Sequence, residues 1–249
     1  MKIIEEIWAF IPARSRSKSL KDKNIKLFMK KPLIAHSILV ARKIKIISRI
    51  IFSTDSKKYL RIASKYGCKN FHFRSSKISS DTASEYSVFL DFIKKNLKAK
   101  KPLPKYFLHL RPTSPVRNYR TIKKAINFFI NNEKKYSSLR STHLMDNPAY
   151  RSYRIVDGKL CSILGKDFKV ANYSQRRQSY QKTYKSGHLF EIYKTKNILK
   201  GDLWGNKVAP YITKDLFNDI DTKDDFNYLE YYLKKIKLIY KFQKYQFIF

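Results

Sequence analysis

The segment IWAFIPARSRSKS, residues 7–19, joins an apolar run to a loop that carries three cations and three hydroxyl groups. A short apolar run that ends at a proline is typical of a buried strand. Further short apolar runs alternate with segments of helical periodicity along the chain. That alternation predicts the α/β class, with a parallel or mostly parallel sheet covered by helices.

The predicted elements form a regular first half and a less regular second half. Predicted strands occupy residues 7–11, 49–53, 71–73, 106–110, 136–142, 153–156, 159–163 and 188–193. Predicted helices begin near residues 32 and 223 and occupy residues 57–66, 82–97 and 119–132 between them. The T-x-x-E pattern of Thr82 and Glu85 is that of a capping box and places the start of the third helix. Because neither an internal repeat nor a domain-sized linker is present, we expect one domain over residues 1–249.

Three of the predicted strands end in polar loops, at residues 14–19, 54–56 and 111–114. Ligands of open α/β sheets bind beyond the carboxyl ends of the strands, so these loops are candidate binding segments. The first loop offers forked arginine donors and a lysine point charge, which suit a triphosphate. A solvated basic turn is the alternative that the same residues allow.

The chain carries a large positive charge: 54 Lys and Arg against 19 Asp and Glu give +35 over 249 residues. Such a field attracts polyanions, whether nucleic acids, nucleotide triphosphates or an anionic membrane surface. Codon bias of an AT-rich genome is an alternative source, because Lys, Ile, Asn, Tyr and Phe are all abundant. A basic RNA- or DNA-binding protein, with its aromatic residues as stacking rings, is therefore a competing function. Against it, the aromatic residues fall mostly in predicted strands and helix faces, where core packing is the default.

Cysteine and glycine positions exclude several classes of protein. Cys68 and Cys161 are far apart and lack a C-x-x-C partner, which argues against a zinc site or a disulfide scaffold and favours a cytoplasmic setting. Residues 1–10 contain no signal-peptide run, and no uncharged run is long enough to span a bilayer. All six glycines lie at or after Gly67, so P-loop NTPases and dinucleotide-dependent dehydrogenases are excluded.

A series of short motifs resembles one known family. The pattern IPARxxSKxLxxKNI at residues 11–25 is similar to the N-terminal signature of the CMP-sialic acid synthetases, or acylneuraminate cytidylyltransferases. Further motifs of that family follow in the same order: KPLIA at 31–35, STD at 53–55, SDTAS at 80–84, LRPTSPVR at 110–117, RQ at 177–178 and DIDT at 219–222. The resemblance covers nearly the whole chain, and the order of the motifs makes it specific.

This resemblance implies a Rossmann-like α/β fold of the nucleotide-diphospho-sugar transferase type, with helices on both faces of the sheet. It also implies an extension around residues 140–187 that joins two copies into a homodimer. The implied reaction transfers CMP from CTP to the anomeric hydroxyl of a sialic-acid-like 2-keto sugar acid and releases pyrophosphate, with Mg²⁺ as cofactor. Since the sugar hydroxyl attacks the α-phosphorus itself, such an enzyme needs alignment and charge neutralisation rather than its own nucleophile.

The resemblance also assigns roles to individual residues. The CTP phosphates would be bound by Arg14, Lys18 and Lys23, which with Asp221 would act in catalysis. The nucleoside would contact Asn24, and the cytidine pocket would be lined by Arg74, Asp81 and Ser84. The sugar acid would be bound by Arg111, Arg177, Gln178 and Lys185, and Mg²⁺ by Asp219 and Asp221. Taken alone, the same residues would be ascribed to surface charge and to an acidic turn before the last helix.

Three segments depart from the family pattern. The usual glycine-rich A-R-x-G-S-K-G reads ARSRSKS at residues 13–19, so the backbone is less able to wrap a phosphate, and an inactive relative stays open as a third reading. Arg111 replaces the common glutamine before P-T-S-P, and the usual N-G-x-x-Y reads SGHLF at residues 186–190. These two changes lie on the sugar side, which leaves pseudaminic, legionaminic and other 2-keto sugar acids open as acceptors.

The tail at residues 231–249 alternates lysines with Ile, Tyr and Phe. Such a segment can lie on an anionic membrane or dock on a partner subunit. We favour a simple basic C-terminal helix, and we expect no specific nucleic-acid partner.

Overall fold

Strands and helices alternate in the structure, a computed structural model that describes residues 2–17, 20–163, 176–217 and 219–239. The strands are β1 (Ile3–Pro12), β2 (Leu27–Phe28), β3 (Lys31–Pro32), β4 (Ile47–Thr54), β5 (Asn70–Phe73), β6 (Leu103–His109), β7 (Ser138–Leu144), β8 (Tyr153–Val156), β9 (Lys159–Ser162), β10 (Tyr184–Lys194) and β11 (Val208–Ile212). The helices are α1 (Leu33–Arg42), α2 (Lys57–Lys65), α3 (Glu85–Lys98), α4 (Tyr119–Asn131), α5 (Thr195–Leu199) and α6 (Lys223–Ile239). None of these helices is long and apolar enough to cross a membrane.

Seven strands form the central sheet, in the order β5, β4, β1, β6, β10, β7, β11. The predicted first strand, β1, lies between β4 and β6 and pairs with both in parallel. Strand β10 runs antiparallel to its neighbours β6 and β7, whereas β11 is parallel to β7. The sheet is therefore mostly parallel, as predicted. Because the chain leaves β1 toward β4 and later returns to β6 on its other side, a crevice opens at the carboxyl end of β1.

Side chains of β1 alternate between the two faces of the sheet, and helices cover both. Ile7, Ala9 and Ile11 pack with α1, α2 and α4 in one core. Trp8 and Phe10 point to the other face and pack with α3. Full burial of one such side chain stabilises the fold by about 2–3 kcal/mol relative to leaving it exposed. The prediction that helices lie on both faces is confirmed.

A third apolar cluster fixes the segment between β11 and α6. Ile220 is fully buried there, together with Phe226 of α6, Phe28 of β2 and Leu33 at the start of α1. The backbone N–H of Ile220 also donates to the carbonyl of Thr113, at 2.8 Å. The acidic residues on either side of Ile220 are thus held next to the loop that follows β6.

The predicted N-cap of the third helix is wrong by two residues. Helix α3 begins at Glu85, and Ser84 is its N-cap, accepting from the backbone N–H of Ser87 at 3.2 Å. Thr82, the predicted cap, instead pairs its hydroxyl with that of Ser80 at 3.2 Å. Serine and threonine are comparable caps, so the T-x-x-E pattern alone does not decide between Thr82 and Ser84.

The second half of the sheet differs most from expectation. Strand β10 begins at Tyr184, four residues before the predicted strand, and β7 pairs Leu144 with Tyr184. The described residues between β7 and β10, 145–163 and 176–183, lie within the expected extension at 140–187 and contain the β8–β9 hairpin. Strand β11 was not predicted because Pro210 interrupts its pattern; it is an edge strand, where proline is tolerated.

Gly187 occupies a β-bulge in β10, where the register with β7 shifts between Ser186 and Glu191. A Cβ at this position would lie 2.9 Å from the Nδ1 of His143 and 2.9 Å from both the carbonyl and the hydroxyl oxygen of Ser141. We therefore expect Gly187→Ala to lower the free energy of unfolding by about 1–3 kcal/mol in urea denaturation. The control is Gly158→Asn, whose Cβ meets nothing within 4 Å and whose residue type tolerates the left-handed backbone, so it should change the free energy of unfolding by less than about 0.5 kcal/mol. If Gly187→Ala proved as stable as the wild-type protein, close packing at the bulge would not be what requires this glycine.

Candidate functional site

A cavity of about 500 Å³ opens at the carboxyl ends of β1, β5 and β6. Such a crevice is where open α/β sheets bind ligands. Seven of the predicted site residues line it: Arg14, Lys23, Asn24, Arg74, Asp81, Arg111 and Asp221. Residues separated by up to 207 positions in the sequence thus face one another in a single crevice.

The loop after β1 is held in place by carboxylates and an amide. Asp55, at the end of β4, accepts from the backbone N–H of Ser15 at 2.8 Å and from its hydroxyl at 3.0 Å. Arg14 pairs with Asp81 at 2.5 Å, and Asn24 donates to the Arg14 carbonyl at 2.9 Å. These contacts fix a loop that lacks the expected glycines. The anchoring role of Asp55 was not predicted, although the STD motif contains it.

Lys23 connects this loop to the acidic segment before α6. Its buried ammonium group donates to the carbonyl of Ile220 at 2.8 Å and to Oδ1 of Asp221 at 3.1 Å. The Asp221 side chain is 72% exposed and lines the cavity. A cation and a carboxylate from opposite ends of the chain therefore meet at the cavity wall.

Arg74 is the least satisfied polar side chain of the cavity. The residue is only 5% exposed, and its Nε and Nη2 atoms find no hydrogen-bond partner among the described residues. Burial lowers the pKa of its guanidinium to about 10; Asp55 opposes this effect and Arg14 adds to it. A charged donor that is buried and unpaired lowers the free energy of unfolding by roughly several kcal/mol. A ligand with acceptor oxygens or negative charge would satisfy these two groups.

Arg111 lies at the other end of the cavity, inside a group of paired charges. It donates from Nε and Nη2 to the two carboxylate oxygens of Glu85, each at 2.7 Å, and from Nη1 to Glu191 at 2.5 Å. Glu191 is fully buried and also contacts the imidazole of His109 at 3.1 Å. Although burial raises it, the pKa of Glu191 is lowered well below its usual range by His109 and Arg111.

Sequence reasoning missed Glu85 and Glu191 as parts of the site. Glu85 was expected to serve only a helix cap, but its carboxylate lines the cavity and pairs with Arg111. Glu191 is a lone acid in the apolar run LFEIY at residues 189–193. A single carboxylate in a buried strand demands a charged partner. That signal could have pointed to Glu191, but not to Arg111 as its partner.

Arg117, the last residue of the LRPTSPVR motif, ties the β6 loop to the β10 bulge. Its guanidinium is fully enclosed and donates to the carbonyls of Arg111 and Leu189, and to the hydroxyl of Ser37 at 3.1 Å. Burial, together with the charge of Arg111, lowers the pKa of Arg117 to about 9. Arg117 therefore fixes the backbone of Arg111, which lines the cavity, against the backbone of β10.

Asp219 and Asp221 flank the buried Ile220, and of these two residues Asp221 alone lines the cavity. Asp219 contacts the Nδ1 of His188 through Oδ2 at 3.3 Å, whereas its buried Oδ1 has no hydrogen-bond partner in the described part of the chain. Mg²⁺ is typically held by one or two carboxylates together with substrate phosphates and water. No group of three or more His, Cys, Asp or Glu among the described residues could hold a metal alone. These two residues could therefore hold Mg²⁺ only with ligands from a bound phosphate or water.

The other predicted residues lie outside the cavity or outside the described chain. Lys18 is not among the described residues. Ser84 is exposed as the cap of α3, and Arg177 and Gln178 are exposed in a 3₁₀ turn. Lys185 places its ammonium group 3.7 Å from the ring centre of Phe217. The structure thus gathers the predicted nucleotide residues more completely than the predicted sugar residues.

Comparison with known proteins identifies a matching family model and several curated relatives, two of which match over nearly their whole length. A model described as cytidylyltransferase matches residues 8–248. Post-translational flagellin modification protein B of Campylobacter coli is 29% identical, covering 94% of this chain and 98% of that protein. Pseudaminic acid cytidylyltransferase of Campylobacter jejuni is 28% identical, over 93% and 94% of the two chains. N-acylneuraminate cytidylyltransferase of Escherichia coli is 31% identical over 89% of this chain but only 50% of its own length.

Solved structures show the same fold at low sequence identity. A CMP:2-keto-3-deoxy-manno-octonic acid synthetase complexed with CTP superposes with a TM-score of 0.67 at 11% identity. The match covers 93% of this chain and all of that one. At this identity the likeness concerns the fold, and it agrees with the mostly parallel sheet covered on both faces.

Proposed function

Because this chain belongs to the cytidylyltransferase family and is thus a nucleotidyltransferase, we propose that it transfers CMP from CTP to a sialic-acid-like 2-keto sugar acid. The anomeric hydroxyl of the sugar attacks the α-phosphorus of CTP, and its proton is released. The new O–P bond forms as the bond to the β-phosphate oxygen breaks, and pyrophosphate leaves. Relatives named for N-acylneuraminate and pseudaminic acid support this class of acceptor.

The observation that carries the proposal is Arg74, with its two unpaired N–H groups in a cavity that also holds Arg14 and Lys23. Arg14 follows β1, Arg74 follows β5 and Lys23 lies in a 3₁₀ turn, and all three face one crevice. An in-line displacement at phosphorus needs mainly positioning and charge neutralisation, which fixed cations provide. Arg14 and Lys23 would bind the phosphates, and Arg74 would bind acceptor oxygens of the nucleotide.

Mg²⁺ is the proposed cofactor, held by Asp219 and Asp221. When bound, it would neutralise negative charge on the phosphates during transfer. Lys23 lies against Asp221 and would keep that carboxylate oriented toward the phosphate end of the cavity.

Both Cys68 and Cys161 are free thiols, which supports a reducing, cytoplasmic setting.

The proposed homodimer would use the β8–β9 hairpin. Ile155 and Leu160 face each other across the hairpin and are 75% and 53% exposed. Isolated two-stranded hairpins are marginally stable, so packing against a second copy would stabilise this one. We expect the double variant Ile155→Asp, Leu160→Asp to be monomeric in sedimentation equilibrium, whereas the wild-type protein is dimeric. Tyr228→Asp, an exposed change on α6 that precedes residues 231–249, is the control. A double variant that stays dimeric would place the interface elsewhere.

Pyrophosphate release from CTP and Mg²⁺ with a panel of 2-keto sugar acids tests the proposal. Release with one sugar and not with the buffer control would establish the reaction. Absence of release with every sugar from folded protein would favour an inactive relative. A steep salt dependence of oligonucleotide binding, measured beside it, would favour the nucleic-acid binder instead.

A further inference from the structure

The cavity has two electrostatically different ends. At one end, after β1 and β5, Arg14 and Lys23 each pair with one aspartate, whereas two nitrogens of Arg74 have no hydrogen-bond partner among the described residues. At the other end, below β6 and β10, the charge of Arg111 is already met by the carboxylates of Glu85 and Glu191. An additional carboxylate would be repelled by those two acids, and an ammonium group by Arg111. This end therefore suits a neutral polar group.

The pair formed by Arg111 and Glu85 offers a donor and an acceptor side by side. Three of the five N–H groups of Arg111 donate to the two glutamates. The Glu85 carboxylate remains 42% exposed and, like Arg111, lines the cavity. An amide is the complement of this arrangement: its N–H would donate to Glu85, and its carbonyl would accept from Arg111.

Apolar side chains lie beside the pair on the same helix. Val88 and Phe89 of α3 line the cavity one turn after Glu85 and are buried. A small alkyl group attached to the amide carbonyl would pack on them. Sugar hydroxyls could bind to the charged pair, but they carry no group that would use this apolar wall.

We propose that Glu85 and Arg111 recognise an acylamino substituent of the acceptor sugar, with Val88 and Phe89 against its alkyl group. Glu191 is a positioning residue: it is fully buried and holds Arg111 from behind through Nη1, and Arg140 approaches its other oxygen at 3.5 Å. This inference rests on the proposed function. It assigns recognition of this substituent to named residues, which membership of the cytidylyltransferase family alone does not do.

The test compares two 2-keto sugar acids that differ only at one carbon, acylamino in one and hydroxyl in the other. For the wild-type protein we expect kcat/KM to favour the acylamino sugar by about 100-fold, since a site built to pair both amide groups rejects an analogue that lacks them. Glu85→Ala should reduce that ratio to below about 10-fold and leave the KM for CTP unchanged. Glu85→Gln, which keeps an acceptor oxygen, should retain part of the preference.

Glu191→Gln should raise the KM for the acylamino sugar and lower the ratio of kcat/KM between the two sugars, because Arg111 loses its ion pair with Glu191. The KM for CTP should stay unchanged. The matched control is Glu230→Gln, a carboxylate on α6 paired with Lys234 at 3.5 Å, which should keep the wild-type ratio. A ratio near one in the wild-type protein, or an unchanged ratio in folded Glu85→Ala, would overturn the inference while leaving the proposed function intact. If neither sugar reacts, the proposed function fails separately. Calorimetric binding of the two sugars in the presence of CTP then gives the ratio, and equal affinities would overturn the inference.

Discussion

Arg74→Met should remove most of the affinity for CTP without destabilising the fold. In the structure this guanidinium is buried, and two of its N–H-bearing nitrogens lack a hydrogen-bond partner in the described part of the chain. A hydrogen bond from a charged group contributes about 1.5–3 kcal/mol, so the loss of two should lower kcat/KM for CTP by at least about 100-fold. Steady-state pyrophosphate release with varied CTP measures this effect.

Stability provides the second readout for Arg74. Methionine has a similar length and leaves no buried donor unpaired, and replacing a buried charge by an apolar side chain is often neutral or stabilising. We therefore expect the free energy of unfolding in urea to stay equal to that of the wild-type protein or to rise by about 1 kcal/mol. A variant that is less stable and still active would show that Arg74 serves the fold rather than the nucleotide.

Arg42→Met is the matched control for this experiment. Arg42 is an exposed arginine at the end of α1 that donates to the Tyr66 carbonyl at 3.2 Å. Its replacement should leave the kinetics with CTP unchanged. If Arg74→Met retained kcat/KM within about twofold of the control, the unpaired groups of Arg74 would not be contacts to the nucleotide.

The central strands and the nucleotide end of the cavity could be predicted from sequence because they depend on local patterns. A strand buried on both faces is a continuous apolar run, as in β1, and its loop follows directly in the sequence. The carboxyl ends of parallel strands then meet at one edge of the sheet. That rule alone brings Arg14, Arg74 and Arg111 to the same crevice.

The other end of the cavity could not be predicted, since its properties depend on distant pairings. Arg111 reads as a free cation in the sequence, but Glu85 and Glu191, 26 and 80 positions away, neutralise it. Which residues face Arg111 depends on β10 running antiparallel beside β6, with Glu191 opposite His109. Neither the direction of a strand nor its neighbour is a local property of the sequence.

Loss of Asp221 should nearly abolish pyrophosphate release, and two substitutions separate its two possible roles. In the wild-type structure, Lys23 Nζ lies 3.1 Å from Asp221 Oδ1. If Asp221 only orients Lys23, the amide oxygen in Asp221→Asn can accept the same hydrogen bond, and this variant should stay active. If Asp221 binds Mg²⁺, both Asp221→Asn and Asp221→Ala lose a charged ligand. We expect the second result, with kcat lower by about 1,000-fold in each variant, because an anionic ligand to a hard cation is not replaced by an amide.

Folding should be unaffected in Asp221→Asn, which keeps an acceptor for the buried Lys23, because the side chain at 221 is largely exposed whereas Ile220 carries the packing of the segment. Asp224→Asn, an exposed acid in the first turn of α6, is the matched control and should keep full activity. Titration of Mg²⁺ at saturating CTP gives the direct readout: Asp221→Asn should need a higher metal concentration for half-maximal rate. An Asn variant with wild-type rate and wild-type metal dependence would remove Asp221 from the metal site and leave it as the partner of Lys23.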